Sequence, residues 1–294
     1  MKKILFKGCA TAIATPFTEE GVDLEEFAKL VEEQIKEGVD GIVVCGTTGE
    51  SSTMTEKERL DTIECAVKTA NKRVPIIAGT GSNNTKAVIE MNKKVEELGV
   101  DGLLVVTPYY NKTTQEGLIV HYKTIAENTT LPIIMYSVPS RTGVNIKPET
   151  CFELSKVENI VAIKEASGDL SQIATIASLC RDNLCIYSGN DDQIIPILSL
   201  GGKGVISVLS NVKPKFTHDM CYNFFNGKIK EATKMQLDAI PLIKALFSEV
   251  NPIPVKAALN MMGYNYGKPR LPLIEMTEKG KEILKKTLYT EDLK

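Results

Sequence analysis

The sequence predicts an α/β fold, a TIM (β/α)8 barrel with a C-terminal helical extension. Three observations predict it. Eight short apolar runs punctuate the first two thirds of the chain, amphipathic segments lie between them, and pairs of runs repeat with a period of two strand–helix units. Continuous β-branched runs suit strands buried on both faces, and strands alternating with helices imply parallel pairing. A chain of 294 residues fits, since α/β barrels commonly run to about 250 residues as one unit.

The runs, in order, are ATAIATPF (10–17), GIVVCGTT (41–48), VPIIAGTG (74–81), GLLVVTPYY (102–110), LPIIMYSV (131–138), IVAIKEAS (160–167), LCIYSGN (184–190) and GVISVLS (204–210). Among the helical segments, TEKERLDTIECAVKTA opens with Thr55 and has Glu58 three residues on, a capping box. TKAVIEMNKKVEELG ends at Gly99, a good residue just past a helix, and KPETCFELSKV places Pro148 near a first turn. GVDGIVV at Gly38 is echoed by GVDGLLVV at Gly99, and VPII at 74 by LPII at 131. Alternate strands of an eight-stranded barrel occupy equivalent layers, which suits such a period. A doubly wound open sheet would carry a Gly-rich phosphate loop after its first strand, where this chain has TEEGVD. After Asn211 no strand run follows. The expected division is a catalytic barrel over 1–226 and a helical region over 227–294 that packs on the barrel.

Hydrophobic content of 43%, charged content of 24% and a net charge of −2 are ordinary for a soluble globular protein. Nothing in that balance favours nucleic acid or an anionic membrane as partner; small molecules and further copies of the chain remain. The seven cysteines form no C-x-x-C, and an odd, scattered count is not a disulfide framework. They are read as reduced thiols in a cytoplasmic protein. Lys7 interrupts the apolar start MKKILFKGCA, so no signal peptide is expected, and no run of about 18 apolar residues offers a membrane span. The sequons at Asn83, Asn111 and Asn128 are then chance matches.

In a barrel of this kind the active site forms at the C-terminal strand ends. There lie Thr47 and Thr48 in GTTGES, Tyr109 and Tyr110 in TPYYN, Tyr136 and Arg141 in YSVPSRTG, Lys164 at the end of IVAIK, Gly189 in SGND, and Ile206 with Ser207. Each has an ordinary structural explanation: threonines close turns, a tyrosine packs at a core edge, an arginine meets solvent, and a strand surfaces at its lysine. Their convergence on one rim favours chemistry. The stretch Val161–Lys164 matches the strand carrying the ATP lysine of protein kinases, but H-R-D, D-F-G and a Gly-rich loop are all missing. Two isolated histidines, His121 and His218, make a poor metal site, and no cofactor is expected. What remains is an amine nucleophile. Burial disfavours an ammonium, and the neutral amine adds to a ketone to give a Schiff base whose iminium acidifies the adjacent carbon. Several protons then move, which calls for a hydroxyl relay; Tyr136, helped by Thr47 and Tyr110, is the candidate.

GTTGES, TPYYN, VPSRTG, IKEASG and NPIPVKAAL together resemble the dihydrodipicolinate synthase family of the pyruvate-dependent class I aldolase superfamily, over nearly the whole chain. The resemblance implies that Lys164 forms the Schiff base with pyruvate. Tyr136 would donate and accept protons, linked through Thr47 to Tyr110, which reaches in from a neighbouring subunit. Thr48 would hold the pyruvate carboxylate, Arg141 the carboxylate of aspartate semialdehyde, and Gly189 and Ile206 would line the pocket through backbone groups. The product would cyclise to 4-hydroxy-tetrahydrodipicolinate, which feeds lysine and diaminopimelate synthesis, and the assembly implied is a homotetramer built as a dimer of dimers. A sibling pyruvate aldolase acting on a sugar acid or a hydroxy-oxoglutarate is the alternative, and a non-catalytic pyruvate-binding barrel the contrasting class. Arg141 argues for the synthase, because its planar fork suits a carboxylate.

The chain departs from the pattern at Ser137, where asparagine is expected, and at Glu56, Arg59 and Ala87, where members inhibited by lysine carry two histidines and a glutamate. Ser51, Asn83 and Tyr109 of that site are kept. Losing an anion and gaining Arg59 disfavours a cationic ligand, so inhibition by lysine should be weak or absent. A titration of activity against lysine checks this, and a low-micromolar inhibition constant would overturn it.

Overall fold

The structure is a computed structural model that describes residues 2–290. Eight parallel strands close on themselves in chain order: β1 (Gly8–Ala12), β2 (Gly41–Val44), β3 (Ile76–Gly79), β4 (Gly102–Val106), β5 (Ile133–Ser137), β6 (Ile160–Glu165), β7 (Cys185–Ser188) and β8 (Gly204–Ser207). The closing ladder pairs Gly8 with Gly204 and Ala10 with Ile206. Helices alternate with the strands: α1 (Leu24–Lys36), α2 (Glu56–Ala70), α3 (Thr85–Glu97), α4 (Gln115–Ala126), the short α5 (Pro139–Thr142), α6 (Pro148–Ser155), α7 (Leu170–Cys180), α8 (Ile194–Ser199) and α9 (Pro214–Phe225). Three more follow, α10 (Ile229–Leu246), α11 (Ile253–Met261) and α12 (Glu278–Leu288). The expected TIM barrel with its C-terminal helices is therefore what forms.

Every apolar run overlaps a strand, but the strands are shorter than the runs, and β1 starts two residues before its run. The first run, 10–17, overshoots β1 because the Asn211 side chain takes over after Ala12. Its Nδ2 donates to Ala12 O at 2.9 Å and its Oδ1 accepts from Ala14 N at 3.0 Å, which ends the ladder on the β8 side, while Ile13 N still donates to Val43 O of β2. The internal repeat also has a physical reason. Asp40 and Asp101, the aspartates of the two GVDG stretches, each precede a strand and accept from the backbone N–H of the strand before it. Asp40 Oδ2 takes Cys9 N and Asp101 Oδ2 takes Ile76 N, both at 2.8 Å.

Two apolar layers result. The interior of the barrel is filled by residues such as Ala10, Val43, Ile77, Leu104, Ile134 and Ile206, while a larger cluster lies between strands and helices. Phe6 stacks on Tyr187 at 4.2 Å and accepts the Tyr187 hydroxyl at 2.7 Å, filling the inner cluster away from the strands' C-terminal ends. In β6 the alternation is interrupted. Ile133 pairs with Ile160, but Ile134 pairs with Ala162, so Val161 is the extra residue of a bulge. Ile160 and Ile163 pack outward, while Val161 and Ala162 both join the inner cluster.

The expected boundary at 226/227 falls in the turn between α9 and α10. Ala239, Leu242, Leu246 and Leu259 beyond it share the outer apolar cluster with barrel residues such as Leu30 and Ile63. Ion pairs join the two parts as well. Arg270 makes a forked contact with Glu58 on α2, at 3.0 and 2.5 Å, and donates to Thr53 O. Glu58 thus serves the Thr55 capping box and the C-terminal region together. The Arg270 guanidinium holds the Glu58 carboxyl down at about 2, against about 4.3 in an unfolded chain. Its contribution to stability is therefore complete above about pH 4.3 and is lost as pH falls towards 2. Replacing Glu58 by Gln should make the loss of stability across that window shallower in urea denaturation at a series of pH values. An unchanged acid dependence would mean that the pair is uncoupled from folding.

Candidate active site

The bulge at Val161 re-aims the end of β6. With it, Ala162 and Lys164 face the interior; without it, Lys164 would face the helices, because one residue of register exchanges the two faces of a strand. Lys164 is 6% exposed, sits between Tyr136 and Tyr187 in the ladder, and places Nζ 4.4 Å from the centroid of the Tyr136 ring. Glu165, its neighbour, faces outward. It accepts from Ser167 N and Oγ at 2.8 Å and from Gln172 Nε2 at 2.7 Å, and burial raises its carboxyl against those bonds. Ser137 likewise turns away from the interior, donating to Asn145 Oδ1 and accepting from Ile146 N.

A cleft of about 370 Å³ opens at the C-terminal strand ends, and Thr47, Tyr136 and Arg141 all line it. Thr48 is buried behind this wall, where Oγ1 accepts from Asn251 Nδ2 at 3.0 Å. Arg141, on α5, donates from Nη2 to Asn251 O at 3.2 Å. Gly189 follows β7 and donates its N–H to Glu165 O at 2.7 Å; a Cβ there would stand 2.7 Å from Ala166 Cβ, so only glycine lets β7 approach the end of β6. Ile206 is buried in β8 within the inner cluster. Lys164, Thr48, Gly189 and Ile206 are buried or half-buried and do not line the cleft, whereas Tyr110 lies outside it on the surface. It is 91% exposed, holds a positive φ of 67°, and does not line its own chain's cleft, which has Tyr109 instead. Arg59 lies in the same wall as Ser51 and Tyr109, its Nη2 on Gly79 O at 2.9 Å, and Glu56 is paired with Lys94.

The loop that carries Thr47 and Thr48 is bracketed by two non-glycine residues in the left-handed region, Cys45 (φ 57°) and Glu50 (φ 54°). Such positions cost on the order of 1–3 kcal/mol each and persist where the surroundings over-determine them. Here the surroundings are charged. Glu50 and Lys256 on α11, each with a side chain 1% exposed, meet at 2.8 Å, and Glu50 Oε2 accepts Arg270 N at 3.0 Å. Lys256 also donates to Lys268 O and lies 4.3 Å from the Phe17 ring centroid; burial lowers its pKa against the pull of Glu50.

Sequence reasoning missed three residues. Asn251 and Lys256 stand within NPIPVKAAL, which marks the resemblance without indicating a contact, and Asp191 stands in SGND two residues beyond Gly189. Asp191 is buried; its Oδ2 accepts from Val208 N at 3.0 Å and Leu209 N at 2.9 Å and so joins the exits of β7 and β8. Burial raises its carboxyl, opposed by Ser207, by those two amides and by the nearby Lys164 charge. A buried amine beside a phenol, with a guanidinium and the Thr47 hydroxyl in the wall of the cleft, matches amine-nucleophile chemistry on a carbonyl compound that carries a carboxylate.

The model of the dihydrodipicolinate synthetase family matches residues 5–291. The chain belongs to that family. A 4-hydroxy-tetrahydrodipicolinate synthase of Clostridium acetobutylicum is 58% identical over 284 residues, covering 97% of both chains. The crystal structure of dihydrodipicolinate synthase from Thermotoga maritima is 46% identical and superposes with a TM-score of 0.95, covering 97% of this chain and 98% of that one. The dihydrodipicolinate synthase of Acinetobacter baumannii, complexed with pyruvate, is 42% identical with a TM-score of 0.94 over 98% of each chain.

Removing one partner of a buried ion pair strands the other charge, at a cost of about 3–5 kcal/mol. Lys256→Met should therefore lower stability by that amount in chemical denaturation, and the double variant Glu50→Gln/Lys256→Met should recover part of it. Equal loss in both variants would show that packing around Lys256, not its charge, matters.

Proposed function

We propose that this chain condenses pyruvate with L-aspartate semialdehyde through a Schiff base on Lys164. The observation that carries the reading is the buried Lys164 Nζ, 4.4 Å from the Tyr136 ring centroid at the C-terminal mouth of the barrel. The neutral amine adds to the pyruvate ketone, and loss of water gives the iminium. Loss of a methyl proton gives the enamine, whose carbon attacks the aldehyde; the aldehyde oxygen gains a proton and becomes the hydroxyl. The amino group brought by the semialdehyde then attacks the iminium carbon, the Lys164 amine leaves, and the ring closes as 4-hydroxy-tetrahydrodipicolinate. Tyr136 is the group proposed to carry the protons at the carbinolamine and at the new hydroxyl, since its phenol both donates and accepts. Thr47, in the same cleft wall, links it outward to the relay.

Thr48 is assigned to the pyruvate carboxylate, and Arg141 to the carboxylate of aspartate semialdehyde, for which its fork is suited. Gly189 and Ile206 contribute backbone at the exits of β7 and β8. The homologue complexed with pyruvate supports the substrate assignment. The proposed assembly is a tetramer, a dimer of dimers, in which Tyr110 enters the cleft of a neighbouring copy; its exposure on the rim supports that role. No helix among the described residues is long and apolar enough to cross a membrane. The cytoplasm is the proposed compartment, on the scattered odd number of cysteines.

A coupled assay tests the reading. With both substrates and the downstream reductase present, NADPH oxidation should be rapid with the wild-type chain and fall to background with Lys164→Ala. Trapping of pyruvate by borohydride without turnover would keep the Schiff base and move the protein to a sibling aldolase, leaving Arg141 without its assigned carboxylate.

A further inference from the structure

Asn251 lies 5% exposed in the turn between α10 and α11, and its polar groups divide in an informative way. Nδ2 donates to Thr48 Oγ1 at 3.0 Å, the backbone oxygen accepts Arg141 Nη2 at 3.2 Å, and Oδ1 is buried with no partner in the chain. A hydroxyl that accepts one hydrogen bond keeps its own proton to give elsewhere. Asn251 therefore leaves Thr48 as a donor, the polarity a carboxylate requires. The backbone carbonyl of the same residue restrains one arm of the Arg141 guanidinium.

The turn that carries Asn251 is itself fixed to the threonine loop. Five residues on, Lys256 pairs with Glu50, two residues past Thr48. Two contacts, one neutral and one ionic, thus tie the start of α11 to the loop after β2, and the neutral one ends on a substrate group. The Arg141 contact brings in the segment after β5. Asn251 is the one residue among these with a bond to each of the two side chains assigned to carboxylates.

We propose that Asn251 is a positioning residue for both substrate carboxylates, acting through the Thr48 hydroxyl on the pyruvate side and through Arg141 on the aldehyde side. This rests on the carboxylate assignments of the proposed function. It predicts a particular ranking of variants. Asn251→Ala removes the donor and frees the Thr48 hydroxyl to rotate. Asn251→Asp keeps the shape but offers only acceptors, so the Thr48 proton turns to the new carboxylate and away from pyruvate, and an anion stands beside both substrate carboxylates. Aspartate should therefore be the worse replacement, although it is the closer isostere.

Steady-state kinetics of wild type, Asn251→Ala and Asn251→Asp tests this, with thermal unfolding of each variant measured alongside. The expected result for Asn251→Ala is a KM for pyruvate raised about tenfold, the size of one lost hydrogen bond to a charged group, with the KM for aspartate semialdehyde and kcat within about threefold of wild type, because alanine keeps the backbone oxygen that holds Arg141. Asn251→Asp should raise the pyruvate KM further and, through its added anion, raise the aspartate semialdehyde KM as well. In a Thr48→Val background the Asn251→Ala change should add nothing further to the pyruvate KM, because the two residues act through one hydroxyl. An unchanged pyruvate KM in folded Asn251→Ala, an aspartate variant that leaves the aspartate semialdehyde KM unchanged or is better than alanine, or additive effects with Thr48→Val would each overturn the proposal. The pyruvate concentration needed for half-maximal borohydride trapping gives the same comparison without turnover. A wild-type chain that traps pyruvate but fails in the coupled assay would count against the second substrate, and the trapping series would still decide the Thr48 half of the proposal.

Discussion

One extra residue in β6 sets the orientation on which the site depends. The inner and outer apolar layers are defined by strand alternation, and a closed barrel leaves no freedom to slide a strand once its neighbours are paired. Val161 absorbs a shift of one position between β5 and β6, and the consequence reaches three residues further along. Lys164 turns to the interior beside Tyr136, and Glu165 turns to the outer layer, where Ser167 and Gln172 satisfy it. Reversing that choice would bury a carboxylate among inner apolar side chains and send the amine to the helices. The bulge resolves a conflict between the hydrophobic pattern of the strand and the chemistry at its end.

The second constraint is the fastening of the threonine loop from outside the barrel. Cys45 and Glu50 hold backbone conformations that non-glycine side chains disfavour. A loop with only its own hydrogen bonds would relax. Glu50 does not release, because Lys256 neutralises it and the Arg270 amide caps its other oxygen. Arg270 then reaches Glu58 at the start of α2, the helix that follows the same loop. The C-terminal helices thus act on the site through charge and hydrogen bonding at its back wall, in addition to the apolar cluster they complete.

Much of this was legible in the sequence. Eight apolar runs gave eight strands, since strands buried on both faces need no polar alternation. Lys164 was conspicuous because an apolar strand ending in a cation is a local anomaly. Helix ends marked by Thr55, Gly99 and Pro148 fell where capping chemistry puts them. Strand ends were less readable: the first run continues past Ala12 in composition, and a side chain from position 211 decides where pairing stops. The links of Asn251 to Thr48 and of Lys256 to Glu50 span about two hundred residues. No local pattern encodes such a pair; each half reads as an ordinary polar residue until folding brings them together. The bulge was invisible for a related reason, because β6 alone is a uniform apolar run whose register exists only against β5.

The fastening also has a bearing on the order in which the molecule becomes competent. Synthesis delivers the strands first, and a nascent chain can close the sheet once β8 has emerged. Its threonine loop would still lack Asn251, Lys256 and Arg270, which are made only after β8. The loop after β2 therefore waits, made before the residues that fasten it and locked only after them. A chain made only as far as β8 is in this sense a silent barrel, and binding competence waits for the segment that carries Asn251, Lys256 and Arg270.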